Sequence, residues 1–312
     1  MKSEILEYLI CPACLPDENP LRLRNFKNSC GEIGEGILEC DCCRHKYAIK
    51  EGVAYMVGDY ARTSEVNVRY ESVDLLSAYL WSHYADLFED PDATNAYTEL
   101  AGQIKPSLGA ILDAGCATGR FCFEMSNRFE FVIGVDLSGS FISTARKIMH
   151  ERKLRFRLKE EGCIHTEKTF ILPDHWDSGR VEFLVADVNA LPFRSGAFSC
   201  VASLNILDKI DFPIRHISEV SRTANSEQAQ LLMADPFSWS EAVCRPDRWL
   251  GGTPEGRFAG YGIENVVRLL SGDAPASRPA WKIGVIGDVW WKIRNHRNHF
   301  ELIRSLYVKA ER

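Results

Sequence analysis

The stretch Gly109-Ala110-Ile111-Leu112-Asp113-Ala114-Gly115-Cys116-Ala117-Thr118-Gly119-Arg120 decides the fold, because an apolar run ends there on an acid and breaks into a glycine turn. Such a run reads as a buried strand, and the turn opens a helix whose free N–H groups face the same ligand as the loop. Glycines in the turn let the backbone approach that ligand closely. A second strand-like run, Phe131-Val132-Ile133-Gly134-Val135-Asp136, ends on another acid. At about twenty residues from the loop, a carboxylate accepts the hydroxyls of a ribose. No phosphate-binding lysine follows the loop, which argues against a P-loop.

Further strands follow in order. Val181 to Val188 is the third and carries Asp187. Ala197 to Leu204 is the fourth and runs into Asn205-Ile206-Leu207-Asp208. Gln228 to Asp235 is the fifth, and Trp281 to Arg294 and Phe300 to Lys309 close the sheet. Ligands in open α/β sheets bind beyond the carboxyl ends of the strands, so Asn205 and Asp208 are the candidate catalytic residues. They orient or deprotonate a substrate nitrogen, or else cap a helix, and His216 is a further candidate base.

Asp113 to Arg120 together with Asp136 resemble the cofactor motifs of class I S-adenosylmethionine-dependent methyltransferases. The resemblance implies an α/β fold, a Rossmann-like seven-stranded sheet. It implies that Asp113, Gly115, Cys116, Ala117 and Gly119 lie under the methionine part of the cofactor and that Asp136 and Leu137 hold the ribose. Asp187 and the Val188 N–H take the adenine, Asn205 faces the transferred methyl, and Tyr84 of the His83-Tyr84 pair belongs to a lid. The tetrapeptide from Asn205 is neither the Asn/Asp-Pro-Pro-aromatic of adenine amino-methyltransferases nor the Pro-Cys of cytosine-carbon enzymes.

Cys11-Pro12-Ala13-Cys14 and Cys40-Asp41-Cys42-Cys43 form two C-x-x-C knuckles with zinc-ribbon spacing. Cys11, Cys14, Cys40 and Cys43 are the expected ligands of a structural zinc, with Cys42, Cys30 and His45 as alternatives. This segment resembles the small zinc-ribbon activator of tRNA and protein methyltransferases and the ribbon of ribosomal-RNA guanine methyltransferases. The expected division is a ribbon over 1–58, a helical linker and lid over 59–107 with an apolar stripe from Tyr70 to Leu87, and the methyltransferase domain over 108–312.

The chain has 312 residues, eleven cysteines and a formal charge of −6 from 37 basic and 43 acidic residues. Net acidity disfavours a general nucleic-acid surface. A segment before the third strand, Leu154 to Leu172, reads as an inserted hairpin. With the helix before it, it gathers Arg146, Lys147, Arg152, Lys153, Arg155, Arg157 and Lys159 into a basic face toward solvent or RNA, and Trp290 to Arg297 is basic and aromatic as well. Two tryptophans, Trp239 and Trp249, mark a loop expected to act as a lid. No apolar run reaches the length of a membrane span, and the expected location is cytoplasmic.

Several segments together are similar to the mercaptohistidine N-methyltransferases of ovothiol synthesis: His83-Tyr84, Leu154-Arg155-Phe156, Val181 to Asp187, Asn205 to Asp208, and Trp249-Leu250-Gly251-Gly252. This resemblance runs from about residue 80 onward and leaves the ribbon aside. It implies methyl transfer to a small heteroaromatic or thiol metabolite. The alternatives are an rRNA or tRNA base methyltransferase gripping RNA through the ribbon, and a non-enzymatic scaffold that docks a protein partner there.

Overall fold

The computed structural model describes residues 1–29, 31–58, 72–273 and 277–312. Cys30 and Tyr70 lie outside the described residues. Four strands open the chain: β1 (Leu21–Ser29), β2 (Glu32–Cys40), β3 (Lys46–Lys50) and β4 (Val53–Met56). Then come α1 (Val73–Tyr84), α2 (Ala96–Ala101), β5 (Ala110–Ala114), α3 (Arg120–Met125), β6 (Phe131–Asp136) and α4 (Gly139–Glu151). The hairpin β7 (Lys153–Glu161) and β8 (Ile164–Ile171) precedes β9 (Val181–Ala186) and β10 (Cys200–Leu204). The chain ends with α5 (Pro213–Thr223), β11 (Gln230–Asp235), α6 (Gly262–Arg268), β12 (Lys282–His296) and β13 (His299–Glu311).

The central strands run β9-β6-β5-β10-β11-β13-β12, parallel except where β13 reverses between β11 and β12. Helices cover both faces, so these strands are apolar throughout rather than alternating. Ala110, Leu112 and Ala114 of β5 pack into one hydrophobic layer while Ile111 packs into the other. The Ser138 hydroxyl caps α4 by accepting from the Phe141 N–H at 3.1 Å, and Ser72 caps α1 in the same way through Leu75 at 3.2 Å.

The amino-terminal strands do not stand apart from this sheet. Tyr55 and Met56 of β4 pair in parallel with Val185 and Ala186 of β9, which extends the sheet to eleven strands among the described residues. A buried ion-pair cluster fastens the same seam. The Arg146 guanidinium on α4 pairs with Glu182 of β9 and, at 2.7 Å, with Glu32 of β2, which also takes the Met1 amine at 3.1 Å.

That cluster takes Arg146 out of the expected basic face, while Lys147, Lys153, Arg155 and Arg157 stay exposed on it. Arg146 is buried and neutralised, Arg155 pairs with Glu167, and Lys159 reaches Asp74 of α1 at 2.5 Å. Arg152 turns inward onto the Trp176 and Pro173 carbonyls. In the second basic stretch Arg294 is buried against Glu160 at 2.7 Å. Sequence spacing counted these cations, but the counter-charges of Arg146, Lys159 and Arg294 come from distant elements. No helix among the described residues is long and apolar enough to cross a membrane.

Candidate functional site

The loop from β5 to α3 turns back on itself through Gly115 at φ 92° and Gly119 at φ 84°. A Cβ at Gly119 would fall 2.5 Å from the Phe183 ring, so only glycine fits there. Ala117 between them holds φ 45°, a left-handed conformation uncommon for alanine. Its N–H donates to Asp136 Oδ2 at 3.0 Å, and the Ser138 N–H donates to Oδ1 at 2.9 Å. The loop and the second acid are thus one unit.

A pocket opens at the carboxyl ends of the strands. Of the expected cofactor residues, Gly115, Ala117, Asp136, Leu137, Asp187, Val188 and Asn205 line it together. The donor set suits an adenosyl ligand: a carboxylate beside the loop for the ribose and a second one, Asp187, at the next strand. Asp113, Cys116, Gly119 and Tyr84 lie behind the wall instead. Burial raises the Asp113 carboxyl to about 7, and its hydrogen bond is from the Cys122 thiol at 3.4 Å.

Tyr84 donates to the Thr118 carbonyl at 2.7 Å and stacks on Phe170 of the hairpin at 4.3 Å, so it braces the loop from outside. Its neighbour His83 does line the pocket, with Nδ1 3.0 Å from Thr118 Oγ1 and Nε2 2.7 Å from Tyr97 Oη. Burial and the nearby Arg120 push His83 down to about 3, so it is neutral. Arg120 itself binds Asp86 through both terminal nitrogens at 2.7 and 2.9 Å and the His83 carbonyl at 2.7 Å, which ties α1 to the loop.

The two candidate catalytic residues part company. Asn205 lines the pocket, in a left-handed backbone conformation at φ 58°. Asp208 is 1% exposed and does not line it. Its Oδ2 accepts the Ser238 N–H at 2.7 Å, and Lys209 Nζ lies 3.0 Å from Oδ1, off the axis of a hydrogen bond. Burial and the Asp208 charge hold the adjoining Asp235 carboxyl well above the usual range. This acid pair fastens the loop after β10 to the loop after β11. His216 is also withdrawn: it is fully buried, its Nδ1 donates to the Val188 carbonyl at 3.1 Å and its Nε2 accepts from Ser203 at 2.8 Å. Burial lowers it to about 4.

Residues that spacing did not single out complete the wall: Tyr79, Tyr97, Phe141, Lys209, Asp211 and Trp291. Tyr79 read only as part of a helical stripe, and Trp291 as half of a Trp-Trp pair. On a strand the two faces alternate, and Trp291 is the buried member while Trp290 is 51% exposed. The Trp239–Trp249 loop stacks on itself, with ring centroids 6.2 Å apart, and anchors beside the mouth through the Cys244 thiol on the Asp211 carbonyl at 3.3 Å.

Outside the pocket lining, the sulfurs of Cys11, Cys14, Cys40 and Cys43 lie within 4.8 Å of one another. The Cys11–Cys43 and Cys14–Cys40 distances, 3.6 and 3.7 Å, match the roughly 3.8 Å edge of a tetrahedron with zinc–sulfur bonds of about 2.3 Å. This set can hold a zinc ion. Cys42 is exposed and outside it, and His45 packs beside Tyr47 at 4.6 Å.

Residues 112–228 match the family model described as a methyltransferase domain. No curated protein matches the chain. Solved structures similar to it include an S-adenosylmethionine-dependent methyltransferase from Methanosarcina mazei, with 17% identity, 69% of this chain and 96% of that one covered and a TM-score of 0.44. Another is the complex of the Haloferax volcanii Trm112 methyltransferase activator with a methyltransferase, with 13% identity, coverage of 79% and 97% and a TM-score of 0.47. A third is the Haemonchus contortus phosphoethanolamine N-methyltransferase 2 bound to S-adenosylmethionine, with 19% identity, coverage of 61% and 37% and a TM-score of 0.40.

Proposed function

We propose that this chain, whose residues 112–228 match a methyltransferase domain, uses S-adenosylmethionine to methylate a small heteroaromatic or thiol metabolite of the mercaptohistidine type. The observation that carries the reading is the single pocket that joins Asp136 and Asp187 to the Asn205 and Trp291 end under the α1 side chains Tyr79 and His83. Cofactor and acceptor share it, and aromatic walls suit a flat acceptor ring. Asp136 and Leu137 would hold the ribose and Asp187 with the Val188 N–H the adenine. The bound cofactor supplies an electrophilic methyl on a sulfonium. The chain's own contribution is alignment, which supplies several kcal/mol by holding the partners near contact distance.

The RNA alternative loses Arg146 and Arg294, which are buried against acids, and keeps Lys147, Lys153 and Arg157 as exposed cations. Cys11, Cys14, Cys40 and Cys43 do not line the pocket, so a zinc ion held there would serve the fold. Calorimetry with S-adenosylmethionine on the wild type and on Asp136→Ala, followed by turnover with mercaptohistidine, tests the reading. Binding lost in the variant and a methylated product support it. A wild type that does not bind sinks it, and binding without turnover of any small acceptor, but with methylation of RNA, transfers it to the alternative.

A further inference from the structure

Asn205 sits at the end of β10 with its side chain in the pocket wall, and its amide has two unlike ends. Which end meets the acceptor is decided by β13. The fully buried Ser305 hydroxyl lies 2.5 Å from Asn205 Oδ1, and the Trp291 indole N–H donates to the same hydroxyl at 2.9 Å. An indole nitrogen only donates, so Ser305 accepts from Trp291 and has its own proton to give. A separation of 2.5 Å belongs to an O–H···O bond and is too short for an amide N–H···O bond. The atom facing Ser305 is therefore the amide oxygen, and Nδ2 is the free fork. Nδ2 makes no hydrogen bond with a described residue and is not a buried orphan.

We propose that Ser305 and Trp291 are positioning residues that lock the Asn205 amide with its donor toward the methyl acceptor, so that the site takes an acceptor presenting a lone pair in its deprotonated form and disfavours a protonated amine. This rests on the methyltransferase reading above and narrows its substrate class to acceptors that keep one lone pair for Nδ2 while another attacks: thiolates, and heteroaromatic rings with a second acceptor atom beside the attacking nitrogen. A donor–donor encounter there leaves both groups without a partner in each other, whereas a lone pair directed at Nδ2 satisfies both. The chemistry follows directly. The acceptor lone pair forms the new bond to the methyl carbon as the carbon–sulfur bond breaks, and the bonding pair returns to sulfur to leave neutral S-adenosylhomocysteine. An anionic thiolate becomes a neutral thioether, and no proton need be removed at that step. The withdrawal of Asp208 and His216 from the pocket then leaves nothing missing.

A cofactor analogue tests this without knowledge of the acceptor. Sinefungin carries an ammonium-bearing carbon where S-adenosylmethionine carries its methylsulfonium, and so presents a donor at the site of transfer. Calorimetry should show S-adenosylhomocysteine binding at least tenfold tighter than sinefungin to the wild type. Ser305→Ala releases the amide to turn its oxygen inward and should bring the two within about threefold, and Asn205→Asp, which places an acceptor there outright, should favour sinefungin. A wild type that binds sinefungin as tightly as S-adenosylhomocysteine overturns the proposal, whether or not the variants fold. So does a folded Ser305→Ala with an unchanged ratio. Binding of neither ligand instead refutes the methyltransferase reading and this inference with it.

Discussion

Replacing Arg146 with methionine should unfold the seam between the ribbon strands and the catalytic sheet more readily than any other single change on the surface of α4. The guanidinium is 5% exposed and serves two acids, Glu182 at 0% and Glu32 at 20% exposure. Methionine fills much the same volume, so the loss is electrostatic. Glu182 would keep the Lys2 N–H at 2.5 Å and the Phe183 N–H at 2.8 Å but lose its ion-pair partner inside the protein. Stranding one member of a buried pair costs roughly 3–5 kcal/mol. At about 2 °C per kcal/mol for a chain of this size, melting should fall by roughly 6–10 °C. Removing both charges as Arg146→Met with Glu182→Leu should recover most of that, because two apolar groups replace a desolvated pair.

Acid titration adds a second reading of the same cluster. Burial raises the Glu32 carboxyl, but the Met1 amine and Arg146 outweigh it and hold it at about 2. A carboxyl held below its unfolded value contributes stability above about pH 4.5 and loses it as pH falls toward 2. In Arg146→Met the folded value rises toward the unfolded one, so the acid limb should start at the same pH but be shallower and end at a higher pH. Urea unfolding of the single and double variants at pH 7 and pH 4 decides the matter. A single-variant loss below about 1 kcal/mol, or a double variant no better than the single, refutes the reasoning.

Chelation of zinc, or Cys14→Ser, should lower the melting temperature and release stoichiometric metal, as scanning fluorimetry with metal analysis would show; identical melting of metal-free and zinc-loaded protein goes against a structural site. Ala117→Gly should stabilise the fold by about 0.5–1 kcal/mol in urea titrations, since glycine adopts φ 45° without strain even after its extra unfolded-state entropy. Asp113 binds its proton more tightly folded, with a value of about 7, than unfolded. Its contribution to stability is present at low pH and declines as pH rises from about 4 to 7, by up to about 1.4 kcal/mol per pH unit. Asp113→Asn should flatten that decline and be the more stable protein at pH 8; a variant that falls in parallel with the wild type excludes Asp113 as its source.

The fold was legible in the sequence because its strands are buried on both faces and its loop obeys backbone rules that act locally. An apolar run, a glycine turn and an acid at the end of each of two successive strands specify one arrangement, and the structure places Gly115, Ala117 and Asp136 together in it. The two knuckles were legible for a similar reason, since four thiolates at that spacing have one tetrahedron to make, and their sulfurs converge. What spacing could not decide was which side chains face the ligand. Asp208 and Asn205 stand three residues apart, yet one supports a loop from behind and the other lines the pocket. His83 and Tyr84 are adjacent on α1, yet His83 lines the pocket and Tyr84 does not. Nor could composition tell a free cation from a paired one, because Arg146 meets Glu182 thirty-six positions away and Glu32 a hundred and fourteen away. The chain by itself determined the periodic and covalent constraints. Only the packed structure decided the orientation of the Asn205 amide, which is set by Ser305 and Trp291, residues of β13 and β12 that nothing in the sequence connects with Asn205.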